Sequence, residues 1–134
     1  MAGFQRVEDI QAWVVAIDLV ADLHARFDEG RVKGSYWIRD QVLRAALSIS
    51  NNIAEGFGRG SDAEFARFLS YSRGSAMEVI SCLHVLVRIG LFTAEEAAPL
   101  HQLATLCLQQ VSRLQGYLTP GRVREDNLEA YHAL

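Results

Sequence analysis

Three glycines followed by a serine-led capping signal divide the middle of this chain into two long helices. Gly56, Gly58 and Gly60 end one apolar-periodic segment, and Ser61-Asp62-Ala63-Glu64 opens the next. Glycine tolerates the left-handed backbone that closes a helix. Serine at an N-cap with glutamate three residues later is the pattern of a capping box. A connection this short returns the second helix along the first, and that constrains the fold more than any other part of the sequence.

The same punctuation recurs along the chain. Apolar residues at three- and four-residue spacing predict helices over about residues 7–28, 36–57, 62–89 and 94–118. Ser35 stands at an N-cap position for the second helix. Gly90 stops the third, Thr93-Ala94-Glu95-Glu96 is a second capping box, and Thr119-Pro120-Gly121 ends the fourth. No useful stretch alternates with period two, so no sheet is expected. The predicted fold is all-α: an antiparallel up-down-up-down four-helix bundle over residues 1–121. Residues 122–134 follow as a tail or a short docked helix.

Helices one and two are richer in apolar residues than a single core requires. On the first, Ile10, Val14, Ile17 and Ala21 form one stripe, and Trp13, Ala16, Val20, Leu23 and Phe27 form another beside it. The second carries a broad arc that includes Ile38, Val42, Leu43, Leu47, Ile49 and Ile53. A monomer would leave part of this surface wet, so self-association is expected.

Composition narrows the remaining classes. The chain has 134 residues, half of them hydrophobic and 22% charged, which excludes a disordered polypeptide. No run reaches the roughly 18 apolar residues of a membrane span. The N-terminus lacks the pattern of a secretory signal. Cys82 and Cys107 fall within apolar helical patterns and read as reduced core thiols of a cytoplasmic protein. Net charge is −3, yet residues 31–90 hold eight basic and five acidic side chains. Arg31, Lys33, Arg39, Arg59, Arg67 and Arg73 are therefore the residues available to meet nucleic-acid phosphates.

Helix two bears a polar stripe opposite its apolar centre. Arg44, Ser48, Asn52, Glu55 and Arg59 fall within an arc of about 80°. Serine and asparagine are poor choices for a merely solvated helix face, and their small size suits close approach by another helix. With residue 60 at the turn, Ser48 lies level with residues 73–75 and Arg44 with Glu78. That predicts an Arg44–Glu78 ion pair, with Gly74 and Ser75 allowing the backbones to approach.

These residues also resemble a known family. Gln41, Arg44-Ala45-Ala46, Ser48-Ile49, Asn52-Ile53-Ala54-Glu55-Gly56, Arg59, Glu64-Phe65, Phe68-Leu69, Gly74-Ser75 and Glu78 are similar to the central pattern of the 23S rRNA intervening-sequence proteins. Trp13 matches an early tryptophan. The resemblance spans about residues 7–118. Two departures are the helix 1–2 connection, which lacks the proline and glutamate associated with it, and the acidic net charge. The resemblance implies a four-helix bundle, a ring-shaped homopentamer, and a bacterial protein with no established activity. It also implies kinship with the accessory variability protein of diversity-generating retroelements, which associates with a reverse transcriptase and binds nucleic acid.

The expected function is thus that of a non-enzymatic oligomeric scaffold or interaction protein. The alternative is a nucleic-acid-binding accessory protein that partners a reverse transcriptase or another nucleic-acid enzyme. No catalytic residues, cofactor or metal are expected. Gly56-Phe57-Gly58-Arg59-Gly60 follows a helix instead of a strand, which is the wrong context for a dinucleotide loop. His84 and His101 would face each other across the helix 3–4 turn with Cys82 and Cys107 nearby, but no paired ligand spacing accompanies them.

Overall fold

The computed structural model describes residues 3–27 and 30–119, and the expectations for residues 122–134 lie outside them. After a 3-10 turn at Val7–Asp9, four helices follow: α1 Gln11–Phe27, α2 Tyr36–Gly58, α3 Asp62–Arg88 and α4 Ala94–Leu118. There is no strand among the described residues. Each helix packs against its neighbours in sequence, and α1 also packs against α4. A single core lies between them, with Leu19, Leu23, Ile49, Ile53, Leu69, Leu83 and Leu108 among its fully buried side chains.

The local signals act as expected at some ends and differently at others. Thr93 and Glu96 form a complete capping box: Glu96 N donates to Thr93 Oγ1 at 3.1 Å, and Thr93 N donates to Glu96 Oε1 at 2.9 Å. Ser61 accepts from Glu64 N at 3.2 Å, but the Glu64 carboxylate turns to Arg67 instead of reaching back. Ser35 occupies the N-cap of α2 without a side-chain capping bond. Gly90, at φ +79°, closes α3 as a Schellman turn. Its amide donates to Val87 O, and that of Leu91 donates to Leu86 O.

Two expectations about helix boundaries and faces are corrected. α1 starts at Gln11, because the chain first makes the 3-10 turn and then extends at Ile10, at φ −88° and ψ 110°. Its buried side is Ala12, Val15, Ala16, Leu19, Leu23 and Phe27. Ile17 and Ala21, from the first expected stripe, are exposed. The second stripe faces the core: its Ala16, Leu23 and Phe27 are buried and its Trp13 and Val20 half-buried, with Ala12, Val15 and Leu19 beside them. In α2, only Gly60 of the three turn glycines adopts a positive φ, at +83°, and the helix runs through Gly58.

Candidate assembly motif on α2 and α3

Gly56 sets the closeness of α2 and α3. A Cβ there would lie 2.7 Å from Phe68 Cβ and 3.1 Å from Phe65 Cδ1. Glycine is required here by contact, since the backbone is an ordinary helix. Phe65 is fully buried and meets Phe57 edge to face, with ring centroids 6.0 Å apart. About two helical turns on, buried Ser72 Oγ donates to Ile49 O at 2.9 Å and holds the pair together from the core side.

The half-exposed seam of the same pair carries the polar stripe. Ser75 Oγ donates to Ser48 Oγ at 2.9 Å. Asn52 Nδ2 donates to Ser48 O and Ser48 Oγ at 2.8 and 2.9 Å. Farther from the turn, Gln41 Nε2 donates to Glu78 Oε2 at 2.6 Å. Ser48–Ser75 and Gln41–Glu78 thus join α2 to α3, and Asn52 orients Ser48 from within α2. Trp13 lies elsewhere, half-buried against the core from α1.

Two expectations for this seam are corrected. Glu78 is bonded by Gln41, and Arg44 is exposed with no partner among the described residues. Residues 41 and 44 differ by about 60° around the helix, which turns Gln41 toward α3 and Arg44 outward. A Cβ at Gly74 would meet nothing within 4 Å, so this glycine does not serve the close approach of these two helices. Gly56 does that.

The six basic residues do not form one patch. Arg31, Lys33 and Arg39 lie at or before the start of α2, whereas Arg59 and Arg67 flank the α2–α3 turn. The 20 residues of helix between Arg39 and Arg59 span about 30 Å. Arg73 is half-buried between α3 and α4, where it donates to Gln115. Four of the arginines pair with carboxylates: Arg31–Glu96 at 2.6 Å, Arg39–Asp40 at 2.9 Å, Arg59–Glu55 at 2.9 Å and Arg67–Glu64 at 2.7 Å. The hydrogen bond from Arg67 holds Glu64 below the ordinary carboxylate range.

At the turn, the guanidiniums of Arg59 and Arg67 each lie 4.9 Å from the centre of the Phe68 ring, and Arg67 Nη1 donates to Tyr71 Oη at 3.1 Å. This basic-aromatic cluster contains two of the six expected nucleic-acid residues. Among the described residues, no three histidine, cysteine or acidic side chains gather where they could hold a metal ion. No helix among them is long and apolar enough to cross a membrane. Both cysteines are buried, and burial raises the Cys107 thiol to about 12.

The arrangement also contains a buried polar node that periodicity did not reveal. Gln115 of α4 donates to Ala66 O at 2.8 Å and to Ser70 Oγ at 2.6 Å, and accepts from Arg73. Its only trace in the sequence is a glutamine beside the apolar line that includes Val111, Leu114 and Leu118.

A comparison with protein families settles the kinship that the seam suggests. The family described as 23S rRNA-intervening sequence protein matches residues 8–113. The chain belongs to this family. The match takes in the 3-10 turn from its second residue, all of α1 to α3, and most of α4. In this intervening-sequence protein, the matched segment therefore contains the α2–α3 seam and the core beneath it. No curated protein matches the chain.

Proposed function

We propose that this protein is a non-enzymatic, cytoplasmic homo-oligomer, a pentameric ring of antiparallel up-down-up-down bundles, which acts as a scaffold or interaction protein. The supporting observation is apolar surface left uncovered on a folded protomer. Trp37 is 62% exposed and Leu47 46% exposed on α2, and Tyr71 is 47% exposed on α3. Trp37, Arg44 and Leu47 fall within about 80° of α2, on the outer side of the polar stripe: Trp37 is about 20° from Ser48 and Leu47 about 100°. Large apolar side chains grouped on a helix face mark an association surface. Open space at Gly74 leaves room on α3 for another backbone to approach.

The up-down course draws support from paired positions. Gly56 meets Phe65 and Phe68 beside the turn, Ser48 meets Ser75 midway, and Gln41 meets Glu78 beyond that. Arg26 at the end of α1 pairs with Glu96 at the start of α4, 3.5 Å apart. The test is native mass with Leu47→Glu as the variant. The proposal requires a pentamer in the parent protein and a smaller species in the variant. A parent protein that is monomeric at micromolar concentration defeats it.

The second reading is nucleic-acid binding as an accessory to a reverse transcriptase or another nucleic-acid enzyme. The Arg59–Arg67–Phe68–Tyr71 cluster favours it, since guanidinium and aromatic faces together suit phosphates and bases. Exposed ion pairs are weak, so phosphates can displace Glu55 and Glu64 from these arginines. Absence of binding to single-stranded RNA and DNA at about 50 mM salt removes this reading.

A further inference from the structure

Beside the turn that joins α3 to α4 lies a pocket that the assembly reading does not use. His84 of α3 and His101 of α4 meet edge to face, with ring centroids 5.8 Å apart and planes at 86°. They open onto a cavity of about 390 Å³ whose other polar wall is Arg88, one turn along α3 from His84. Leu83, Val87 and three small alanines of α4 complete it. The alanines leave the space: larger side chains at the start of α4 would fill it.

The polar lining has one character. Two imidazoles and a guanidinium line the cavity, and no carboxylate does. This contrasts with Arg31, Arg39, Arg59 and Arg67, each neutralised by an acid. Arg88, His84 and His101 make no hydrogen bond or ion pair among the described residues, so their N–H groups are available to a ligand. A neutral imidazole donates one N–H, and a guanidinium presents a fork that fits a carboxylate. Arg88 opposes a bare cation, so the histidine pair is not the start of a metal centre. The volume lies within the range of small-molecule sites, and the remaining walls are apolar.

We infer that this pocket binds a small organic carboxylate: Arg88 and the two histidines hold the acid group, and the apolar walls hold a short hydrocarbon body. The carboxylate sits between α3 and α4 with its body against Leu83, Val87 and the alanines. Binding makes no demand on the α2–α3 face, so it is separable from self-association.

Benzoate is a suitable probe, with benzamide as its neutral counterpart and acetate as the acid without the body. Imidazole ring signals are followed by NMR at pH 7 in the presence of a chelator, and His24 on α1 is the internal reference. Benzoate shifts the His84 and His101 signals together and saturably, with a dissociation constant near or below about 5 mM, and leaves His24 unmoved. Benzamide and acetate each bind at least about tenfold more weakly. Arg88→Gln weakens benzoate by about tenfold or more, as expected for loss of a charge-assisted hydrogen bond. Arg88 is exposed, so this variant keeps the parent melting curve, which separates lost binding from lost folding. Shifts that do not saturate by about 50 mM, benzamide or acetate binding as tightly as benzoate, or unchanged affinity in the folded Arg88→Gln protein would each overturn the inference.

Discussion

Gln41 and Glu78 join α2 to α3 through a 2.6 Å hydrogen bond far from the turn that connects the helices. The carboxylate belongs to an amide partner, while Arg44, one turn along α2, points outward. Gln41→Ala should therefore lower stability by about 0.5–1.5 kcal/mol. Arg44→Ala should change it by no more than about 0.5 kcal/mol in the protomer. Urea denaturation of both variants checks the contrast, and a larger loss for Arg44→Ala would restore the ion pair as the operative contact.

Gly56 and Gly74 should respond in opposite directions to alanine. At Gly56 the new methyl meets the Phe68 stem at 2.7 Å, so the helices must part, at a cost of about 1–3 kcal/mol. At Gly74 the methyl meets nothing within 4 Å, and the helix gains about 1 kcal/mol. Thermal melts at matched concentration check both. A Gly74→Ala protein that is stable yet smaller in native mass would locate a subunit contact at that position.

Gln115 should be sensitive although it touches no proposed ligand. It is 4% exposed and serves three groups, the Ala66 carbonyl, the Ser70 hydroxyl and the Arg73 guanidinium. Gln115→Leu keeps the bulk and removes its hydrogen bonds to all three, so a loss of about 1–3 kcal/mol is expected. Chemical denaturation measures it, and a neutral result would mean that water replaces the network.

Glu96 supplies a pH dependence of definite sign. The backbone amide of Thr93, and after it Arg31, holds its carboxyl below the ordinary 4.5. A folded-state value below the unfolded one gives stability that is complete above about pH 4.5 and lost as pH falls through the folded value. Glu96→Gln should lower the melting temperature at pH 7, and its gap from the parent protein should narrow as pH falls below about 4.5 and through the folded value. A gap that persists in acid would show that the glutamine disturbs packing and that the charge is not the cause.

Cys107 is fully buried with its thiol raised to about 12, and Cys82 is buried and raised as well. Neither should react with a thiol reagent at pH 8 in the folded protein, and both should react in denaturant. Rapid labelling of the native protein would place one of them on an accessible surface.

How far the sequence carried the fold depends on the kind of signal. Thr93 with Glu96, and Gly90, act within a few residues of backbone, and their geometry follows from residue type alone. The level of Ser48 with Ser75 also followed, because a fixed turn and a fixed helical rise determine it. The phase of α1 followed only in part: the stripe with Ala16, Leu23 and Phe27 faces the core, but apolar residues on nearly all sides left Leu19 out until α2 and α4 enclose it. Gln41 displaced Arg44 as the partner of Glu78 for a related reason: three residues along a helix turn a side chain by about 60° past the next, and level alone does not settle orientation. The six basic residues looked like one set because they are close in sequence, whereas α2 carries them to opposite ends.

Self-association is the claim on which the functional reading rests. Light scattering coupled to size-exclusion chromatography measures it directly on the full chain at micromolar concentration. The expected mass is five times the 14.9 kDa protomer, falling in Leu47→Glu. A parent protein that elutes at the mass of one protomer would contradict it.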